Sequence, residues 1–146
     1  MQVSSRFTIA IHMFACIDYF EEDYKITSDF LAVSVNVNPV VIRRIMTQLR
    51  EAGLVSVARG TGGITLARPA EEITFLDVFN AVESLDDGKL FHFHENPNAE
   101  CPVGANIHLI LDDKLDRVQQ ALEDELSSIT IADVVKDTWK YAGTED

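Results

Sequence analysis

Apolar residues near the start of the chain recur on a near-helical period. Phe7, Ile11, Phe14, Ala15 and Tyr19 fall on one side of a segment that Ser4 and Ser5 can cap, which predicts a first helix running to about Phe20. Cys16 lies inside that helix, where a small thiol among apolar neighbours reads as a buried structural residue. Thr27 can cap a short second helix through Val33 that buries Leu31 and Ala32. Asn36 to Asn38 then make a turn. Asn38 followed by Pro39 is a strong start signal, because Asn satisfies a free N–H and Pro sits in the first turn without losing a hydrogen bond. The third helix runs to Ala52 and stops at Gly53, a residue suited to the left-handed conformation of a helix end. Ile42, Ile45, Met46, Leu49 and Ala52 share one side of it, and Val40, Arg43, Arg44, Thr47 and Glu51 share the other.

Beyond Gly53 the period changes. Leu54 to Arg59 and Ile64 to Arg68 are β-prone runs around Gly60-Thr61-Gly62-Gly63, a hairpin whose tip glycines tolerate positive φ. The tip is not a phosphate-binding P-loop, since no Gly-Lys-Ser/Thr follows and it leads into a strand. Farther on, Ile107, Leu111, Leu115, Val118, Leu122, Leu126 and Ile129 recur at a mean spacing of about 3.67, a single apolar stripe along one helix. From Ala105 to Ser128 this helix spans about 36 Å at 1.5 Å per residue, close to the roughly 34 Å between DNA half-sites one turn apart. Its own domain, a partner subunit or both can cover the stripe. Thr130 caps a last short helix through Trp139, with Ile131, Val134, Val135 and Trp139 available to lock the C-terminus. The pattern predicts a mainly α fold with a small β-hairpin wing. Residues 1–83 form a winged helix-turn-helix domain with the wing at 54–68, residues 84–104 form a loop with a possible sensing role, and residues 105–146 form the long dimerisation helix and the C-terminal helix.

Composition changes this picture only when it is resolved along the chain. A length of 146 residues with 47% apolar content suits one domain with an appended element, not a tandem-domain enzyme. The 24 acidic residues outnumber 12 basic ones for a net charge of −12, which speaks against a nucleic-acid or anionic-membrane partner if evenly spread. It is not evenly spread. Residues 1–69 hold seven Lys/Arg against six Asp/Glu, whereas residues 70–146 hold five against eighteen. Between Pro39 and Pro69, Arg43, Arg44, Arg50, Arg59 and Arg68 face only Glu51. Two cysteines, Cys16 and Cys101, are too few for a disulfide framework, which points to a reducing compartment. The apolar run from Phe7 to Ile17 is short, carries His12 and continues into Asp18 and Glu21-Glu22-Asp23, so it reads as a core helix of a cytoplasmic protein, not as a leader or membrane span.

Two helices joined by a short turn, the second presenting Arg and Thr outward near its start, form the helix-turn-helix arrangement. An Arg pair alone more often marks a solvated helix face, and the wing strengthens the DNA-binding reading. The ordered string Asn38-Pro39-Val40-Val41-Ile42-Arg43-Arg44, Leu49-Arg50-Glu51-Ala52-Gly53-Leu54-Val55, Arg59-Gly60-Thr61-Gly62-Gly63 and Leu66-Ala67-Arg68-Pro69 resembles the Rrf-two family of bacterial winged-helix regulators. The resemblance continues through Ile73 to Glu83, Cys101-Pro102-Val103-Gly104 and Asn106-Ile107, covering nearly the whole chain. It implies a homodimer in which each subunit contributes a winged helix and a long dimerisation helix. That family includes repressors of iron-sulfur cluster assembly, nitric-oxide response and cysteine metabolism.

Its cluster-holding regulators resemble one another in carrying three cysteines before the long helix. This chain has only Cys101 there, so an iron-sulfur cluster held by three cysteines is not expected, and neither is another cofactor or a metal. His92, His94 and His108 lie nearby but form a weak metal-ligand pattern. Other members look like thiol or small-molecule responders. Cys101 precedes the long helix, whose N-terminus would favour a thiolate while Glu100 opposes it. Cys101, with His92 and His94 beside it in sequence, is therefore the candidate sensor of an oxidant or small-molecule effector, and a buried, inert Cys101 is the competing expectation.

These features lead to a cytoplasmic, homodimeric, sequence-specific DNA-binding repressor acting on double-stranded DNA at a palindromic operator. The backbone amides near Asn38 and Pro39 meet a phosphate. Val40, Arg43, Arg44 and Thr47 face base edges. Ser4, Arg6 and Ser28 brace the DNA backbone, Arg59 and Thr61 belong to the wing, and Ile107, Leu111, Leu115, Val118, Leu122 and Leu126 form the dimer seam. A winged-helix protein-interaction module without DNA binding is the alternative that the acidic second half suits. An enzyme is a weaker third class, because no P-loop, nucleophile elbow or strong His/Asp/Glu motif occurs and Cys101 with its nearby histidines is the sole conceivable catalytic cluster.

Overall fold

Side-chain caps set where most helices begin in the computed structural model, which describes residues 4–58, 63–83 and 88–143. Among these, helices α1 (Ser5–Phe20), α2 (Ser28–Val35) and α3 (Pro39–Glu51) precede a hairpin of β1 (Val55–Val57) and β2 (Ile64–Leu66). A 3-10 turn (Ala70–Glu72) and four further helices follow: α4 (Phe75–Val82), α5 (Pro102–Ala105), α6 (Ile107–Ser128) and α7 (Ile131–Ala142). Ser4 accepts from Arg6 N, Thr27 from Phe30 N at 3.1 Å and Asn38 from Val40 N at 2.9 Å. Each such cap is worth about 1 kcal/mol. The first helix begins as its sequence predicts, and the second continues two residues past Val33 to Val35, where Asn36 closes it in the left-handed region at φ 61°. Gly53, at φ +75°, ends the third.

Helix α1 is apolar nearly all round, and this shifts its core face from the expected one. Ala10, Met13, Phe14, Cys16 and Ile17 are buried, whereas Phe7, Ile11, Ala15 and Tyr19 are half-buried flanks. The reason is that α1 is enclosed by α2, α4, β2 and α7 together, so no single stripe faces the core. Helix α3 buries Ile42, Ile45, Met46 and Leu49 as its period requires, and Ala52, expected on that face, is exposed where the chain turns away. The strands are shorter than their sequence runs, pairing antiparallel as Val55↔Leu66, Ser56↔Thr65 and Val57↔Ile64. Gly63 is required for a different reason than positive φ. Ile64 N donates to Ile26 O at 2.9 Å, and a Cβ on Gly63 would lie 3.0 Å from Ile26 N and O. Close backbone approach thus pins the returning strand beside the entry to α2. The wing tip, with Arg59 and Thr61, lies outside the described residues.

The second half folds back through a small backbone bridge between Thr74 and Thr130, with Phe75 N donating to Ile129 O and Ile131 N to Ile73 O, both at 2.8 Å. Each threonine opens a capping box, Thr74 with Asp77 and Thr130 with Asp133, so α4 and α7 start side by side. Ile131 is buried at this junction. The long helix begins at Ile107 instead of Ala105, because Asn106 at φ −116°, ψ 15° interrupts it after the four-residue α5. At 1.5 Å per residue α6 is about 33 Å long. It packs against α4, and none of its residues is buried. Among the described residues no helix is long and apolar enough to cross a membrane.

Candidate nucleic-acid interface

Helix α3 packs its inner side against α2, α4 and β1 and exposes Val40, Arg43, Arg44, Thr47 and Arg50 along its outer side. Pro39 is half-buried at its first position, and the side chain of Asn38 holds the first turn by accepting from Val40 N. Arg43 Nη2 lies 3.4 Å from Asp29 Oδ1, with both side chains largely in solvent. A pair so exposed is worth at most about 1 kcal/mol, so a phosphate or a base edge can displace it at little cost. Thr47 Oγ1 donates to Arg43 O at 3.0 Å, which keeps an acceptor lone pair on its hydroxyl available.

Two clefts flank the helix. One of about 350 Å³ separates α3 from the hairpin and the start of α2, and Lys25, Ser28, Arg43 and Arg50 line it. The other, of about 520 Å³, lies toward the start of α1 and is lined by Arg6, Arg44, Thr47 and Gln48. Both margins of the helix thus carry cations, the arrangement that tracks two phosphate backbones on either side of a major groove. Ser28 lines the hairpin-side cleft and Arg6 the opposite one. Ser4 does not stand free as a brace on the DNA backbone. Its hydroxyl donates to Glu83 Oε1 at 2.8 Å while accepting from Arg6 N, which ties the start of α1 to the end of α4.

Lys25 and Arg50 also line this surface, and the sequence gives no sign of the first. Lys25 is masked there by the adjoining Glu21-Glu22-Asp23, and its nearness to Arg43 depends on how the segment before α2 meets the hairpin. Arg50 was legible only as part of the local positive charge. Lys25→Ala is expected to weaken binding of all sequences alike and to lower the slope of log K against log salt by about 1 per subunit. Anisotropy titrations at graded salt measure this, and an unchanged slope removes Lys25 from the interface.

The sensing candidates are dispersed. Cys101 is exposed at the start of α5, and the N–H groups of Gly104 and Val103 hold its thiol below the ordinary pKa. His92 and His94 are exposed, and no hydrogen bond joins either to Cys101 among the described residues. His108 instead stacks on Phe93 with ring centroids 4.1 Å apart and lies 3.2 Å from Asp112. Among the described residues no three His, Cys, Asp or Glu side chains converge to hold a metal ion. Along α6, Ile107, Leu111, Leu115, Leu122 and Leu126 are half-buried, and Val118 is 53% exposed.

A family described as "Iron-dependent Transcriptional regulator", Rrf2, matches residues 3–137. The chain belongs to the Rrf2 family. An HTH-type transcriptional regulator, YwnA of Bacillus subtilis (strain 168), is 39% identical over 133 residues, covering 91% of this chain and 96% of the relative. A crystal structure described as that of a DNA-binding protein shares 35% identity at a TM-score of 0.70, covering 89% of this chain and 98% of its own. The fold is also that of T. potens IscR, at a TM-score of 0.71, 22% identity and coverage of 100% and 93%. This Rrf2 chain is a DNA-binding transcriptional regulator with a winged-helix fold, as its helix-turn-helix, wing and sequence string predict. Among the described residues neither Cys16, buried in α1, nor the exposed Cys101 belongs to a group of three His, Cys, Asp or Glu side chains that could hold a metal ion.

Proposed function

We propose that this regulator works in the cytoplasm as a homodimeric repressor. In this reading two α6 helices pair through their stripes, and two α3 helices enter successive major grooves of a palindromic operator. The observation that carries it is the coverage of α6. A 22-residue helix with an apolar stripe and no buried residue leaves that stripe incompletely covered by its own subunit. A groove of about 440 Å³ bordered by Phe7, Phe79, Leu122 and Leu126 adds to the apolar surface at one end. Apolar surface of this extent on one face marks an interaction site, and a two-fold pairing matches it with itself. Sedimentation equilibrium is expected to give a dimer, and footprinting of the purified protein on its own upstream DNA two protected half-sites about one turn apart. A monomer protecting a single half-site contradicts the reading.

The signal is proposed to enter at Cys101. Its thiol is exposed and held below the ordinary range by two backbone N–H groups, so a larger share is nucleophilic thiolate at neutral pH. Because the pKa is lowered, reactivity persists down to a lower pH than for an ordinary thiol and is lost as the pH falls through the lowered value. The rate of Cys101 alkylation by iodoacetamide is therefore expected to reach half its plateau at a lower pH than that of the same cysteine in the unfolded chain. A profile centred at or above that value contradicts the assignment, and so does an oxidant response that persists in Cys101→Ser.

A further inference from the structure

The DNA-reading surface leaves unused a side-chain cluster in an open cleft between α1, α2 and α7, where Cys16 is buried and His12 and Ser34 are exposed. There a cavity of about 250 Å³ is lined by His12, Cys16, Tyr19, Phe20, Ser34 and Thr138, among others. Its polar groups form one connected chain. Cys16 Sγ donates to Ser34 Oγ at 3.1 Å, and Ser34 Oγ lies 3.0 Å from Nε2 of His12. With Nε2 unprotonated, the Ser34 hydroxyl donates to it, and a path for one proton runs from the thiol to the imidazole. Helix α7 forms one wall of the cleft. Tyr19 OH donates to Ala142 O at 2.8 Å, Trp139 Nε1 donates to Asp18 Oδ2 at 3.2 Å, and the Tyr19 and Trp139 rings stack 4.6 Å apart.

A cysteine with a purely structural role needs no empty space beside it. Cys16, only 5% exposed, instead borders a volume that takes one ring or a short chain. We propose that this cavity is a covalent effector site in which Cys16 adds to a small, uncharged α,β-unsaturated carbonyl compound. The sulfur forms a bond to the β-carbon as the alkene π pair moves onto the carbonyl oxygen. The thiol proton passes through Ser34 to His12 and is returned to the α-carbon. The sum is thiol plus alkene to thioether, with no oxidant or reductant consumed.

Several features select this chemistry. The thiol is a soft nucleophile, and the flanking Phe20, Tyr19 and Ala15 favour an uncharged guest. Burial raises the Cys16 pKa against the opposing Ser34 bond, so little thiolate exists at rest and addition depends on the proton relay. The response follows from where Ser34 sits, in the last turn of α2, two residues before the left-handed Asn36 that aims the chain into α3. A guest on Cys16 displaces Ser34 and, with it, the recognition helix. This step rests on the operator-binding reading, whereas the labelling does not.

The test uses full-length Cys101→Ser protein and methyl vinyl ketone as the probe, with peptide mapping by mass spectrometry. The folded Cys101→Ser protein is expected to gain one adduct, on Cys16, at a rate lowered about a hundredfold when His12→Gln or Ser34→Ala is added, with Ser34→Thr restoring it. The adduct is expected to bind operator DNA about tenfold more weakly than the unmodified protein. A further Cys16→Ala change is expected to leave DNA affinity unchanged by the reagent. Labelling of Cys16 only after denaturation overturns the proposal, as do a rate indifferent to His12 and Ser34 or an adduct with undiminished affinity. If the unmodified protein binds no DNA at all, the operator reading fails separately, and the labelling rates still decide the site.

Discussion

Val118→Arg is expected to leave each subunit folded, to convert the proposed dimer to monomer and to cost operator affinity by two orders of magnitude or more. Val118 sits in the middle of the α6 stripe and is 53% exposed in the single subunit, so an arginine there reaches solvent and changes subunit stability by only about 0.5 kcal/mol. In a two-fold dimer the same position recurs on both helices, and the substitution sets two like charges near the seam, with the partner's stripe closing water away. An unpaired buried charge costs on the order of 3 to 5 kcal/mol, equivalent to roughly a hundredfold or more in the dimer dissociation constant. Because each half-site alone is weak, operator binding falls with the dimer. Circular dichroism should be unchanged, sedimentation should give the monomer mass and anisotropy should show the loss. A Val118→Arg protein that stays dimeric and binds as wild type places the seam elsewhere.

Arg44→Ala carries the second-largest expected effect, about 1 to 3 kcal/mol for each subunit's contact and therefore twice that across a dimeric operator. Arg43 and Arg44 are neighbours but not equivalents. Arg43 faces the hairpin-side cleft with Lys25 and Arg50 and is lightly engaged by Asp29, whereas Arg44 faces the opposite groove with Arg6 and has no ion-pair partner among the described residues. A guanidinium in that position is free to make the bidentate contact that reads guanine. The expected signature is a loss of specific affinity with relaxed preference at one base pair per half-site, while the salt slope falls little. Equal affinity of Arg44→Ala and wild type for the selected operator refutes the role. A uniform loss across all sequences moves Arg44 from the bases to the phosphates.

Much of this surface is legible in the sequence because its signals are local. Asn38-Pro39 fixes the start of α3, Gly53 its end, and the period of Ile42, Ile45, Met46 and Leu49 decides which side is buried; the exposed arginines follow by subtraction. The same is true of the threonines that open α4 and α7, each with its Asp three residues on. What escaped depended on tertiary approach. Gly63 looked like a turn glycine, yet the backbone of Ile26, 37 positions away in sequence, is what excludes a side chain there. Ser4 looked free for phosphate until Glu83 came within 2.8 Å of it. Cys16 reads as a packed structural thiol from the run of apolar residues around it, and only the arrival of Ser34 from α2 and of α7 from the far end of the chain opens a cavity beside it. The net charge of −12 is the opposite case, a global number that misleads until it is divided along the chain: Lys25, Arg43, Arg44 and Arg50 gather at α3, while the acidic surplus lies beyond Pro69, in residues 70–106 and on α6. An acidic body of this kind opposes docking in any orientation but the one that turns α3 to the duplex.

The most direct test is selection of bound duplexes from a random DNA pool by the purified full-length protein, repeated with Val118→Arg. The account predicts a palindromic consensus with half-sites centred roughly one helical turn apart for the wild type and no enrichment for the variant. Enrichment of a single asymmetric site, the same consensus from both proteins, or no consensus from the wild type contradicts it.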